Sequence, residues 1–215
     1  TCAPTDTLRA IFRTDCDAYT IEHFATETFT PATSSIDCWK LGVQDTAGVG
    51  NTSLTEPEHR YLTAFGDVLY FNKYKNTSSY SYGNNYYAML PELRIDSINK
   101  YQVVFDAATT VAPNDTTAAR QLYVGILTDP QDFSTLEITD TINLVYAEDS
   151  AHMKTYAIGF DNYIGDYLGD YGKYIVFRVS APADKSAIAI VDNVRIEPVI
   201  GCHQVIDLEA LTVTN

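Results

Sequence analysis

The chain has 215 residues and a net charge of −14, from 28 acidic against 14 basic side chains; it is 46% hydrophobic, and Tyr supplies 16 of its aromatic residues against one Trp. The acidic excess gives no electrostatic basis for binding nucleic acid or an anionic membrane, and the apolar content is too high for a disordered tail. No apolar run reaches the roughly 20 residues that cross a bilayer, so one large all-β domain is the natural reading.

In chain order, residues 1–16 read as a linker or the end of a preceding module, 17–198 as the domain, and 199–215 as a tail or the start of a following module. Short runs rich in Val, Ile, Tyr, Phe and Thr predict strands over 19–24, 38–43, 68–72, 86–90, 101–107, 121–128, 141–146, 155–160, 173–179 and 187–197. The run from 101 shows the period of a strand: Tyr101, Val103 and Phe105 share one face, and Gln102, Val104 and Asp106 share the other. Turn formers separate the runs, among them Pro113-Asn-Asp and Asp129-Pro130. No segment keeps an apolar period of 3.6 residues over three turns. These features predict an antiparallel sandwich of two β-sheets.

The two ends of the chain resemble each other at a constant offset. Cys2, Leu8, Ala10 and Thr14 align with Cys202, Leu208, Ala210 and Thr214. Such repetition is expected of one period cut from a larger multidomain protein. The four cysteines, Cys2, Cys16, Cys38 and Cys202, form no metal-binding spacing. A Cys16–Cys38 disulfide and buried free thiols are both open.

Candidate sites divide by chemistry. The segment 72–87 is rich in Tyr, Asn and Ser, a composition suited to recognition because Tyr combines apolar area with a hydroxyl at low entropic cost. Tyr80, Tyr82, Tyr86 and Tyr87 are therefore the predicted ligand-binding face, with an exposed hairpin that binds nothing as the alternative. Trp39, between Cys38 and Leu41, reads as core rather than as a sugar-stacking platform. Asp161–Gly172 lacks the alternating acids of an EF-hand loop and reads as a pair of tight turns. Hydrolysis needs two carboxylates on one concave face, and no such string or serine-triad motif occurs, so no catalytic residue is assigned.

Read in order, the segments form a series. Glu22-His-Phe24 and Asp37-Cys38-Trp39 come first, followed by Pro91-Glu92-Leu93 and Phe105-Asp106. Thr128-Asp129-Pro130 and Asp192-Asn193-Val194 complete it. The ordered set resembles the MAM-like jelly-roll modules of secreted Bacteroidetes proteins, related to the cleaved-adhesin domains of gingipains. Two positions depart from that pattern: His23 separates Glu22 from Phe24, and Asn193 stands where a second Asp is commoner. The resemblance implies a jelly roll whose first and last strands pair, at a secreted or surface location. It implies binding or adhesion, with a glycan or a surface protein as partner and neighbouring domains of the same polypeptide alongside. A structural spacer without a ligand is the second reading, and a glycan-active enzyme the third. It also implies a structural calcium between the first and last strands, for which Asp192, Glu22 and Glu27 are the candidate ligands.

Finally, Asp-(Ser/Thr) followed by a small, apolar or Thr residue occurs six times, more often than this composition would place it. The pattern resembles the O-glycosylation triplet of exported Bacteroidetes proteins, which marks Thr46, Ser97, Thr116, Thr141 and Ser150 as acceptors. Good turn and cap chemistry is the competing account.

Overall fold

A computed structural model describes residues 19–20, 39–44, 57–73, 85–94, 98–161, 174–182 and 184–199. Both chain ends lie outside the described residues. The cysteines, residues 1–16, residues 200–215 and the terminal resemblance lie outside them as well.

The described chain forms two antiparallel sheets face to face. One sheet has five strands in the order β10-β9-β12-β5-β2: β2 is Lys40–Gln44, β5 Asn85–Met89, β9 Gln121–Leu127, β10 Leu136–Asn143 and β12 Tyr174–Ser180. The other runs β11-β7-β13-β4-β3, from β3 Glu58–Leu62 and β4 Gly66–Lys73 to β7 Tyr101–Ala108, β11 Lys154–Gly159 and β13 Ser186–Pro198. The short β8, Ala118–Ala119, joins β13, while β1, Tyr19–Thr20, pairs in parallel with β6, Leu93–Arg94. The two-sheet expectation is met. The last strand, however, takes β4 and β7 as its partners, and the described part of the first strand takes β6.

Successive side chains of a strand point to opposite faces, and this period builds the core. From the five-stranded sheet, Tyr86, Ala88, Leu122, Val124, Ile126, Ile175, Phe177 and Val179 point inward. They meet Leu69, Phe71, Val103, Phe105, Ala107, Ala189 and Val191 of the six-stranded sheet. Trp39 lies in this layer near Phe177, with ring centroids 6.3 Å apart, so its core reading holds. Each fully buried large side chain contributes about 1.5–3 kcal/mol over exposure.

One charged group enters the core. Lys73, at the end of β4 on the Leu69–Phe71 face, is fully buried. Its Nζ donates to the carbonyls of Pro182, at 3.0 Å, and Lys185, at 2.6 Å, in the turn between β12 and β13. Burial lowers its pKa and the nearby Asp184 opposes the shift, so the ammonium serves as a tie across one end of the sandwich.

On the outer face of the six-stranded sheet, Asp192 of β13 stands opposite Asp106 of β7. The register shifts between Asp192 and Arg195, where Asn193 adopts a left-handed backbone, φ 52°. Asn193 Nδ2 donates to Asp106 at 2.8 Å, Thr155 Oγ1 donates to it at 2.5 Å, and the Asn193 amide donates to Asp192 at 2.7 Å. These donors offset the repulsion expected between like charges in directly opposed positions.

Candidate functional site

The outer face of the five-stranded sheet carries the densest set of unburied polar chemistry on a rigid element. Registers place Gly42 of β2, Tyr87 of β5, Arg178 of β12, Tyr123 of β9 and Thr141 of β10 side by side in one row. The inward positions of these strands are apolar, so the period of two leaves the outward ones to the polar residues.

The row is organised about Arg178. Its guanidinium lies over the Tyr123 ring, 4.4 Å from the centroid, a cation–π contact. On its other side it hydrogen-bonds the Tyr87 side chain. The Tyr87 hydroxyl donates to Gln44 Oε1 at 2.8 Å, and the Tyr123 hydroxyl donates to Gln121 Oε1 at 2.9 Å. Asn85 Nδ2 also donates to Gln44 Oε1, at 3.3 Å. The result is a strip, Gln44–Tyr87–Arg178–Tyr123–Gln121, in which each tyrosine joins the central cation to an amide. Burial raises the Tyr87 pKa, and the charge and hydrogen bond of Arg178 pull the other way. Arg178 Nε is buried and has no partner among the described residues.

The neighbouring part of this face is closed. Residues 129–135 fold over it, and the Phe133 ring stacks on Tyr87 with centroids 4.5 Å apart. Gly42 makes room: a Cβ there would meet Phe133 Cε2 at 2.5 Å. Lys40 Nζ donates to the Pro130 carbonyl at 2.5 Å and lies 5.4 Å from the Phe133 centroid, which anchors the cover. Asp132 caps the short 3-10 turn Phe133–Thr135 by accepting from the Ser134 amide at 2.8 Å, and hydrogen bonds from the Ser134 side chain first and its amide second hold the carboxyl below the usual range. Beneath the cover lie Met89, Leu127 and Val176.

The tyrosine prediction is therefore corrected. Tyr86 and Tyr87 are only 1% and 2% exposed, because β5 is an interior strand between β12 and β2. Tyr86 fills the inter-sheet core, and Tyr87 is roofed by Phe133. Tyr80 and Tyr82 lie outside the described residues. Arg178, Tyr123, Gln44 and Gln121 were not singled out from sequence, although alternation against Leu122, Val124, Phe177 and Val179 places them on the outward face.

Of the predicted calcium ligands, Asp192 sits in the bulge described above, and Glu22 and Glu27 lie outside the described residues. Among the described residues no three His, Cys, Asp or Glu side chains gather as a metal site. Both Asp106 oxygens already accept hydrogen bonds, so the Asp192–Asp106 pair is not a calcium set by itself.

Of the glycosylation candidates, Thr116, Thr141 and Ser150 are exposed, and Thr46 and Ser97 lie outside the described residues. Cap or turn chemistry occurs at the Asp115 and Asp149 triplets, while the Asp140 triplet lies within β10. Asp115 accepts from the Thr117 amide, Asp140 from the Thr141 amide, and Asp149 from the Ala151 and His152 amides. Asp149 also accepts from the His152 ring at 2.7 Å; that bond and the carboxylate charge raise the histidine pKa, so the pair stabilises the turn below pH 6.5 and loses this as pH rises through the elevated pKa. A proton NMR titration of His152 is expected to give a midpoint above 6.5, and Asp149→Asn to return it toward the ordinary value. An unchanged midpoint in the variant would remove this assignment.

No family model and no curated protein matches the sequence. Solved structures do match. The K1 cleaved adhesin domain of Lys-gingipain from Porphyromonas gingivalis superposes with a TM-score of 0.50 at 16% identity, over 80% of this chain and 96% of that one. The K2 cleaved adhesin domain of Lys-gingipain gives 0.50 at 12% identity, over 80% and 98%. A looser likeness, TM-score 0.47 at 12% identity over 80% and 93%, is to a carbohydrate-binding module specific for non-crystalline cellulose. The first two show the fold: a jelly-roll sandwich of the cleaved-adhesin type, as the sequence resemblance implies.

Proposed function

We propose that this chain is a non-catalytic binding module of a secreted or surface-exposed multidomain protein, and that it binds glycan on the outer face of the five-stranded sheet. The observation that carries the reading is the strip itself. Tyr123 and Arg178 offer a half-buried aromatic–cation pair on interior strands, and Gln44, Asn85 and Gln121 surround it with amides. Strands fix these groups more firmly than loops do, and a pre-organised face loses little entropy when a ligand settles on it. Hydrogen-bonding amides beside an aromatic ring suit a polyol. No step of bond cleavage enters the proposal.

The test is a polysaccharide array with the full chain and with Tyr123→Ala. Binding of at least one glycan, weakened tenfold or more in the variant, is the expected result. Binding that is indifferent to Tyr123 would move the site elsewhere.

The spacer reading keeps one observation in its favour: Tyr86 and Tyr87, the tyrosines nominated for recognition, are packed. Arrays negative for the wild-type chain would leave the spacer, or a module with a protein partner, as the better reading.

A further inference from the structure

Resting on the proposed glycan face, we infer that its ligand is an acidic saccharide, a uronate-bearing polymer whose carboxylate seats on Arg178. Three observations converge on this. The chain holds 28 acidic residues, yet none occupies an outward position of β2, β5, β9 or β12. Those positions instead hold Lys40 and Arg178, with Asn85, Gln44 and Gln121 between and beside them. Neutral sugars are gripped by donors and acceptors together, whereas these strand positions carry two cations, and the carboxylates of the covering loop, Asp129 and Asp132, accept from amides of their own turn.

Second, no acidic side chain forms an ion pair with Arg178 among the described residues, although half-buried arginines commonly find one. The acid that acts on Tyr87, Asp132, is committed to capping its own turn. Third, the guanidinium lies over the Tyr123 ring with Nε buried, so its fork is held in one orientation. A planar carboxylate answers a planar fork with paired, charge-assisted hydrogen bonds.

The dimensions favour a polysaccharide over a single carboxylate such as a peptide terminus. Gln44 to Gln121 spans three interstrand steps, about 14 Å at the usual strand spacing, past Asn85 and Ser180 rather than over Tyr87, which Phe133 roofs. That length holds several pyranose rings, with glutamine donors at either end and the cation central. Phe133 and its loop close one side of the strip and set the direction in which the polymer runs.

The experiment is calorimetric titration of the full chain, in EDTA to prevent calcium bridging, with polygalacturonate, alginate and hyaluronate. Each polymer is also tested as its carboxyl methyl ester, beside neutral cello-oligosaccharides. At least one polyuronate is expected to bind ten times or more tighter than its ester, and added salt to narrow the gap. Arg178→Gln is expected to abolish that difference and Arg178→Lys to retain part of it, with thermal melts confirming that both fold. The acid-to-ester comparison on the wild-type chain stands even where a variant does not fold. Equal binding of acid and ester, still dependent on Tyr123, would overturn the acidic ligand and leave the glycan face. Absence of binding to every saccharide would overturn both.

Discussion

Alanine at Gly125 is expected to destabilise the fold by about 2–4 kcal/mol, at the upper end of what overpacking costs, because the obstacle is backbone rather than a movable side chain. Gly125 lies in β9 between β12 and β10, opposite Ile138. There the register of β10 shifts between Ile138 and Asp140, and the bulged strand leans over its neighbour. An added Cβ would overlap the carbonyl oxygen of Glu137 and stand 2.9 Å from its carbonyl carbon. Relief requires β10 to move away, which breaks its ladder to β9 and withdraws Ile142 from the core. Because β9 also carries Tyr123, the proposed site should weaken together with the fold. Chemical denaturation monitored by circular dichroism measures the effect. A variant within 0.5 kcal/mol of wild type, a surface-like change, would mean that the bulge does not hold Gly125 so closely.

The second large effect is expected at Lys73. Methionine keeps the stem and removes the ammonium, so the Pro182 and Lys185 carbonyls lose their donor. At roughly 1–3 kcal/mol for each buried acceptor left unmet, less whatever water recovers, a loss of about 2–4 kcal/mol follows. For a chain of this size that lowers Tm by about 4–16 °C. The competing term is the cost of burying the charge, which burial reveals by lowering the pKa. If that cost is the larger, Lys73→Met will be as stable as wild type or more so, as replacing buried ionic groups sometimes is. Differential scanning calorimetry separates the two outcomes.

Strands buried on one or both faces were legible because burial writes itself into the residues. The predicted runs 101–107, 121–128, 173–179 and 187–197 each fall within two residues of an observed strand at both ends. Of the four edge strands in the described sheets, β2 and β11 were legible too, but β3 and β10 were not. β3, Glu-His-Arg-Tyr-Leu, shows no apolar alternation because none of its residues is fully buried and only Leu62 packs on a core cluster. β10 was placed at 141–146 but runs Leu136–Asn143, because an edge strand with a bulge keeps little apolar period. Tyr86 and Tyr87 were misjudged for a related reason. Composition marked 72–87 as one polar segment, while Tyr86 and Tyr87 already belong to an interior strand. Arg178 is a single charge inside Tyr-Ile-Val-Phe-Arg-Val-Ser, and its meaning comes from Tyr87 and Tyr123 on either side, which only the sheet order supplies.

The unpatterned β3 has a consequence for how copies of the module behave when crowded. Among the described residues it is the outer strand of its sheet, with an edge of hydrogen-bonding groups of the kind that invites strand addition. Glu58, Arg60 and Tyr61 are exposed along it, Arg60 pairs with Glu58 at 3.3 Å, and His59 Nε2 meets Asp67 of β4 at 2.9 Å. A second chain extending the sheet here would have to strip water from that run of charges and gain little apolar contact in return. The residues that hid β3 from sequence reading thus guard against fibrillar growth, and a module displayed in many copies at high local density keeps its sheets from fusing edge to edge.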